Sequence, residues 1–126
     1  MNMVDRPSFL DLRRIRLPLP GWVSILHRLS GVLLFLALPA GVAALSVSLA
    51  SEAGFRAVSA CMTQTWVKLL LLALIWAFLH HLLAGLRHLA LDAHWGVQLG
   101  QARSTGVAVL AVSGVATLAL AGWLFT

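Results

Sequence analysis

Charged side chains are scarce in this sequence: Asp, Glu, Lys and Arg make up 10% of its 126 residues, whereas 60% are hydrophobic. The mean hydropathy of +0.93 lies far above that of a water-soluble domain of this size. None of the four charged residue types occurs in 29–51, 69–86 or 104–126. The composition therefore indicates a membrane protein.

Cysteine is almost absent as well. Cys61 is the only one, so the chain forms neither an internal disulfide nor a cysteine-based metal cluster. A glycine-rich dinucleotide fingerprint is also missing. The net charge of +5 does not indicate nucleic-acid binding, because the basic residues lie at the ends of the apolar runs, as membrane topology requires.

The three uncharged gaps predict three transmembrane helices. At a rise of about 1.5 Å per residue, a helix of about 23 residues covers roughly 34 Å, enough for a hydrocarbon core about 30 Å thick. The predicted fold is all-α, with one three-helix transmembrane domain over 22–126. Its helices are expected at about 22–49, 64–91 and 104–126, separated by polar connections at roughly 50–63 and 92–103.

Residues 1–21 are predicted to form a cytoplasmic leader. The stretch "PLPG" at 18–21 closes it, because prolines and glycine discourage a continuous helix. Lys and Arg are concentrated near the leader, the start of the first helix and the second connection, which predicts a cytoplasmic N-terminus and an outer C-terminus. The residues on that side are Arg6, Arg13, Arg14, Arg16, Arg28, Arg87 and Arg103, against Arg56 and Lys68 on the other.

Small residues recur at four-residue spacing in the first and third helices. Ala37 with Gly41, Ala40 with Ala44, and Ser113 with Thr117 follow this spacing. Small side chains let helix backbones approach closely in lipid. Close helix packing is therefore expected at these positions.

The segment "FLHHLLAGLRHLALD" at 78–92 is unusual because ionisable residues are costly in hydrocarbon and normally face a partner, a cavity or a cofactor. His81, Gly85 and His88 share one helix face, and the glycine leaves a notch that suits a flat macrocycle. A neutral imidazole at this depth suits axial ligation of haem iron, with His88 near a propionate. An interhelical hydrogen bond or a proton relay explains His81 equally on this evidence. His80 points about 100° away, on the face that it shares with Trp76, Ala84 and Arg87; a hydrogen bond between helices explains it equally.

A second polar cluster occurs in "WVSILHRLSG" at 22–31. Ser24, His27, Arg28 and Gly31 are spaced to share a face at the start of the first helix. A hydroxyl beside a fixed cation suits a quinone, whose carbonyl gains negative charge on reduction. The other interpretations of Arg28 are an ion pair with a haem propionate and extension of its side chain to lipid phosphates. Antiparallel packing would bring this cluster to the depth of 81–88, and a second axial haem ligand would have to come from a partner subunit.

These residues resemble the cytochrome b556 membrane-anchor subunit of bacterial succinate dehydrogenase, respiratory complex II. The resemblance covers nearly the whole chain and rests on "LDLRRIRLPLP" at 10–20, "SILHRLSG" at 24–31 and "HHLLAGLRHLALD" at 80–92. It implies a multi-pass protein of the bacterial cytoplasmic (inner) membrane. It also implies a complex with a flavoprotein subunit, an iron–sulfur subunit and a second hydrophobic anchor subunit, with which the helices form a haem-binding bundle.

The resemblance also implies functional residues. The haem b iron ligand falls on His81, and the ubiquinone site on Ser24 and Arg28. His27, Arg28 and His88 match positions near the haem propionates. The dehydrogenase chemistry would reside in the partner subunits, so this chain would be a non-catalytic subunit of the enzyme.

Other functions are also compatible with parts of the pattern. The first is a structural anchor without a cofactor, in which the histidines and arginines only join helices. The second is the anchor of a fumarate reductase. A small transporter subunit with a histidine relay is disfavoured, because the third helix has few polar residues and offers no path across the bilayer.

Overall fold

The computed structural model of the chain describes residues 17–125, which form four helices joined by short connections. Helix α1 is Leu19–Ala50, α2 is Glu52–Met62, α3 is Thr65–Asp92 and α4 is Leu99–Phe125. Helices α1, α3 and α4 are long and apolar enough to cross a membrane. The predicted all-α membrane fold is confirmed. The leader arginines up to Arg16 lie outside the described residues.

Helix α1 begins inside the "PLPG" stretch rather than after it. Pro18 is its N-cap, and Pro20 lies in its first turn. The backbone N–H groups of a first turn have no acceptor within the helix, so a proline there costs no hydrogen bond. The expected leader of 1–21 is therefore wrong for residues 19–21, which belong to α1. Helix α4 likewise begins earlier than expected, at Leu99.

Helix α2 occupies the segment predicted to be a polar connection. Ser51 caps it, its hydroxyl accepting a hydrogen bond from the backbone N–H of Gly54 at 3.0 Å, and Glu52 lies in the first turn, where a negative charge is favourable. A Cβ on Gly54 would collide with the carbonyl oxygen of Val47. This glycine therefore allows α2 to fold back closely against the end of α1.

Helix α3 runs antiparallel to both α1 and α4 and contacts both. Its interior-facing side chains include His80, Ala84 and Arg87, and those of α4 include Ser113 and Thr117. The small residues of α4 therefore lie at a helix contact, as their spacing predicts. At both ends of the bundle a cation of α3 ties α4 to it: Lys68 Nζ donates to the Leu124 carbonyl at 2.8 Å, and Arg87 bonds near the start of α4.

The small residues of α1 have a different role from the expected one. Ala37, Ala40, Gly41 and Ala44 line an apolar cavity of about 390 Å³, and a Cβ on Gly41 would have no neighbour within 4 Å. The opposite wall consists of α3 side chains, and Met62 of α2 also lines the cavity. The prediction of close packing is therefore wrong for this half of α1.

Exposed tryptophans mark both ends of the bundle. Trp22 and Trp95 lie near one end, 53% and 76% exposed, and Trp66 and Trp123 near the other, 64% and 78% exposed. Tryptophan is enriched at membrane–water boundaries. His27 follows Trp22 by five residues, a rise of about 7.5 Å, so it lies about one and a half turns inside the boundary that Trp22 marks.

Candidate functional site

Two histidines from different helices stack against each other in the α1–α3 interface. The ring centroids of His27 and His81 are 4.2 Å apart, and the ring planes differ by 13°. Each ring also lies against a glycine of the opposite helix. A Cβ on Gly31 would be 2.8 Å from His81 Cε1, and one on Gly85 would be 3.3 Å from His27 Nε2.

The stack has a simple origin in the sequence. Each helix carries a histidine followed four residues later by a glycine, as "HRLSG" at 27–31 and "HLLAG" at 81–85. Residues four apart lie on the same helix face, so two antiparallel helices place each histidine opposite the other helix's glycine. The Gly85 notch, expected to admit a macrocycle, thus contacts the His27 ring in this structure.

The Nδ1 atom of His81 contacts two oxygen atoms of α1. The His27 carbonyl oxygen lies 3.0 Å away, and Ser30 Oγ lies 3.3 Å away. A carbonyl can only accept, so Nδ1 carries the proton in this contact, and Nε2 of the neutral ring has the free lone pair. Nε2 makes no hydrogen bond within 17–125, and it is not among the fully buried polar atoms. The local structure therefore leaves Nε2 available as a ligand atom.

His88 adds a third imidazole to the cluster. Its ring lies edge-on to that of His27, with centroids 5.2 Å apart and planes at 63°. His27 of α1 thus contacts both His81 and His88 of α3, and antiparallel packing of the two helices brings the two polar clusters together as predicted. All three are partly buried.

Ser24 and Arg28 lie on α1 outside this contact. Arg28 is exposed, Ser24 is half-buried, and neither side chain makes a hydrogen bond or ion pair within the described residues. The predicted common face of 24–31 is therefore divided: His27 and Gly31 turn towards α3, whereas Arg28 points away from the bundle. A cation exposed in this position requires an anionic or polar partner from outside the three helices.

His80 is enclosed by the bundle although it is adjacent to His81. Its side chain is 0% exposed, and its ring stacks on Trp76 with centroids 5.2 Å apart. Neither ring nitrogen makes a hydrogen bond of good geometry within residues 17–125. The predicted position on the face of Ala84 and Arg87 is confirmed, since all three are buried together, and the ring lies towards the backbone of Val23 on α1.

Arg87 is a buried cation that sequence reasoning treated only as a topology signal. Its side chain is 8% exposed. Nε donates to Thr105 Oγ1 at 3.1 Å, and Nη2 donates to the Ala102 carbonyl at 2.9 Å. These neutral acceptors partly compensate the cost of removing the charge from water. Arg87 therefore joins α3 to α4 at nearly the same depth as His88, the next residue of α3.

Ser30 is the other contributor that sequence reasoning missed. It is fully buried, and its hydroxyl oxygen lies 2.8 Å from the His27 carbonyl oxygen and 3.3 Å from His81 Nδ1. Its signal in the sequence is its position three residues after His27 and one before Gly31 in "HRLSG". Read together with "HLLAG", this motif would have shown that the serine faces α3.

Among the described residues, no group of three or more His, Cys, Asp or Glu side chains is placed to hold a metal ion. A bare metal ion needs several protein ligands, whereas haem iron already has four porphyrin nitrogens and needs only axial ones. A single oriented imidazole such as His81 therefore suits a haem better than an isolated ion.

Comparison with known proteins gives a consistent result. A family model described as succinate dehydrogenase/fumarate reductase transmembrane subunit matches residues 3–120. The chain is 33% identical over 121 residues to a succinate dehydrogenase cytochrome b556 subunit of Coxiella burnetii, covering 95% of this chain and 97% of the relative. It is 34% identical over 117 residues to the protein of that name from Paracoccus denitrificans, covering 90% and 87%. The Rickettsia felis protein of that name is 30% identical over 115 residues, covering 91% and 90%.

Proposed function

We propose a function from the premise that this chain belongs to the succinate dehydrogenase/fumarate reductase transmembrane subunit family. In this proposal the chain binds haem b through His81 and contributes Ser24 and Arg28 to a ubiquinone site. Its relatives are cytochrome b556 subunits of succinate dehydrogenase, an enzyme complex. It is accordingly a multi-pass membrane anchor of such a complex in the bacterial inner membrane, and it has partner subunits. The name cytochrome b556 implies haem b.

The finer composition of the complex is part of the proposal. A flavoprotein subunit and an iron–sulfur subunit would carry the dehydrogenase chemistry, because the described part of this chain contains only helices and connections. A second hydrophobic anchor subunit would cover the face that exposes Arg28. The N-terminus would lie in the cytoplasm, because Lys and Arg are concentrated towards that end of the first helix in the sequence.

The observation that carries the haem assignment is the hydrogen-bonding state of His81. Axial histidine ligands commonly donate their second ring N–H to a backbone carbonyl, which fixes the ring orientation and leaves the other nitrogen for the metal. His81 makes this contact with the His27 carbonyl at 3.0 Å. A histidine that only joins helices would make the same contact, but its Nε2 would then have no partner within the described residues.

The adjacent histidine does not meet this requirement. His80 is enclosed by this chain's own helices and is 0% exposed, so a macrocycle has no access to its ring nitrogens. His81 lies at the α1–α3 interface and is only partly buried. Of this adjacent pair, His81 is therefore the ligand that we propose, and the second axial ligand would come from the second anchor subunit.

His27, Arg28 and His88 would hold the propionates of the haem. Haem propionates are anionic, and the His27 ring contacts both that of His81 and that of His88. Arg28 follows His27 directly and has no acidic partner among the described residues. Its fixed charge would be balanced by a propionate, by the quinone oxygen, or by both in turn.

Ser24 and Arg28 would bind the quinone head group. They are separated by one helical turn on α1, so the hydroxyl donates to a quinone carbonyl while the guanidinium stabilises the negative charge that it gains on reduction. Bound haem b would supply single-electron uptake and release. This chain's residues would hold both groups near the cytoplasmic boundary, where electrons arrive from the iron–sulfur subunit.

The test compares His81→Ala with the matched variant His80→Ala in the complete complex expressed in membranes. Dithionite-reduced minus oxidised spectra would show the b-type α band lost in His81→Ala and retained in His80→Ala. Immunoblots of the assembled complex control for folding. A band that survives in His81→Ala would contradict the ligand assignment. Absence of any haem from the wild-type complex would favour the cofactor-free structural anchor.

A further inference from the structure

Ser30 is connected to both stacked histidines although its side chain is fully buried. Its hydroxyl donates to the His27 carbonyl at 2.8 Å. The same Oγ lies 3.3 Å from His81 Nδ1, and Nδ1 lies 3.0 Å from the same carbonyl. Three polar groups thus form a closed triangle between α1 and α3.

The direction of each hydrogen bond in this triangle follows from which of the three groups carries a proton to donate. The Ser30 hydroxyl has one proton, and the geometry directs it to the His27 carbonyl. Its oxygen lone pairs then face His81 Nδ1, whose proton is shared between the hydroxyl oxygen and the carbonyl oxygen. Ser30 therefore contributes an acceptor to His81, and the ring is oriented by two oxygens rather than one.

We propose that Ser30 is a positioning residue for the haem ligand: it holds the His81 ring and, by accepting part of the Nδ1–H bond, strengthens electron donation from Nε2. This inference rests on the proposed function, in which His81 binds haem iron. A more strongly donating imidazole favours ferric over ferrous iron and lowers the reduction potential. Loss of the Ser30 hydroxyl therefore raises the midpoint potential of the haem without removing it.

The chain provides a matched control in Ser113. This serine is also 0% exposed, and its hydroxyl donates to the carbonyl three residues earlier, Leu110, at 3.2 Å. It lies on α4 and makes no hydrogen bond to a histidine. Ser113→Ala therefore reproduces the loss of a buried helical hydroxyl without the loss of an acceptor for His81.

The experiment is a redox titration of the haem α band in the purified complex for wild type, Ser30→Ala, Ser30→Thr and Ser113→Ala. We expect the haem content to be retained in all four, the midpoint potential to rise in Ser30→Ala alone, and Ser30→Thr, which keeps the hydroxyl, to titrate close to wild type. The electron paramagnetic resonance spectrum of the oxidised haem should change in Ser30→Ala in parallel, because it reports ligand orientation.

The outcomes distinguish this inference from the proposed function. If His81→Ala loses the haem but Ser30→Ala titrates like Ser113→Ala, or at a lower potential than wild type, Ser30 has no role in positioning and the ligand assignment stands. If His81→Ala retains the haem, the proposed function fails first. If Ser30→Ala does not assemble, the potential of Ser30→Cys, a weaker acceptor of similar size, decides: an unchanged value overturns the inference.

Discussion

The substitution Gly31→Ala tests how tightly the His81 ring is held by α1. The added Cβ would be 2.8 Å from His81 Cε1 and 3.2 Å from Nδ1. Carbon atoms in contact are normally about 3.5 Å apart or more, so the ring would have to move by about 0.7 Å. The stacked His27 ring, 4.2 Å away between centroids, limits the directions in which it can move.

The size of the effect follows from this displacement. Moving Nδ1 by about 0.7 Å away from the His27 carbonyl would stretch a hydrogen bond of 3.0 Å beyond the useful range. Overpacking of this kind costs about 1–3 kcal/mol. If the strain is relieved by displacing His81, haem would bind about 5- to 150-fold more weakly, since 1.4 kcal/mol corresponds to a factor of ten.

Two other glycines provide graded controls. A Cβ on Gly85 would be 3.3 Å from His27 Nε2, whereas one on Gly41 would have no neighbour within 4 Å. The assay is the rate of haem loss from each purified complex to an excess of apomyoglobin, with assembly checked by gel filtration. We expect the fastest loss for Gly31→Ala, a small increase for Gly85→Ala, and a wild-type rate for Gly41→Ala. Equal rates for Gly31→Ala and Gly41→Ala would refute the reasoning.

Two further predictions concern parts of the chain that support the site. Thr105→Val leaves Nε of the buried Arg87 without its acceptor and should lower the free energy of unfolding in detergent by about 1–3 kcal/mol. Ser104→Ala removes an exposed hydroxyl and should have no effect. Equal stabilities of the two variants would contradict the role of Thr105 as the acceptor for Arg87. Gly54→Ala should force α2 away from α1 and expose it to protease while haem content is unchanged, whereas Gly100→Ala should leave the digestion pattern as in wild type.

The three spans were predictable because hydrocarbon excludes charge, so the uncharged gaps directly indicate the membrane-crossing helices. The sequence does not predict helix α2, because the modest hydrophobicity of 52–62 is typical of a polar connection. The cap at Ser51 and the apolar spacing of Phe55, Val58 and Met62 are the signals that would have identified it.

The histidine cluster was predictable in composition but only partly in geometry. Ionisable residues in apolar helices mark a site, and His27, His81 and His88 do meet in the structure. Which of two adjacent histidines faces outwards depends on the rotation of α3 about its own axis, and only the packing of neighbouring helices fixes that rotation. Ser30 was missed because a serine is tolerated almost anywhere in an apolar helix. The roles of these residues towards haem and quinone remain predictions.

The two histidine-on-glycine contacts also determine how far α1 and α3 are displaced along each other. Sliding either helix by one turn, about 5.4 Å, would replace each glycine by a residue whose Cβ meets an imidazole. The depth of His81 is therefore fixed by α1 as much as by its own helix, through the five residues that separate Trp22 from His27. A one-residue insertion between Trp22 and His27 of α1 would therefore change the distance of His81 from the membrane surface, although His81 belongs to α3.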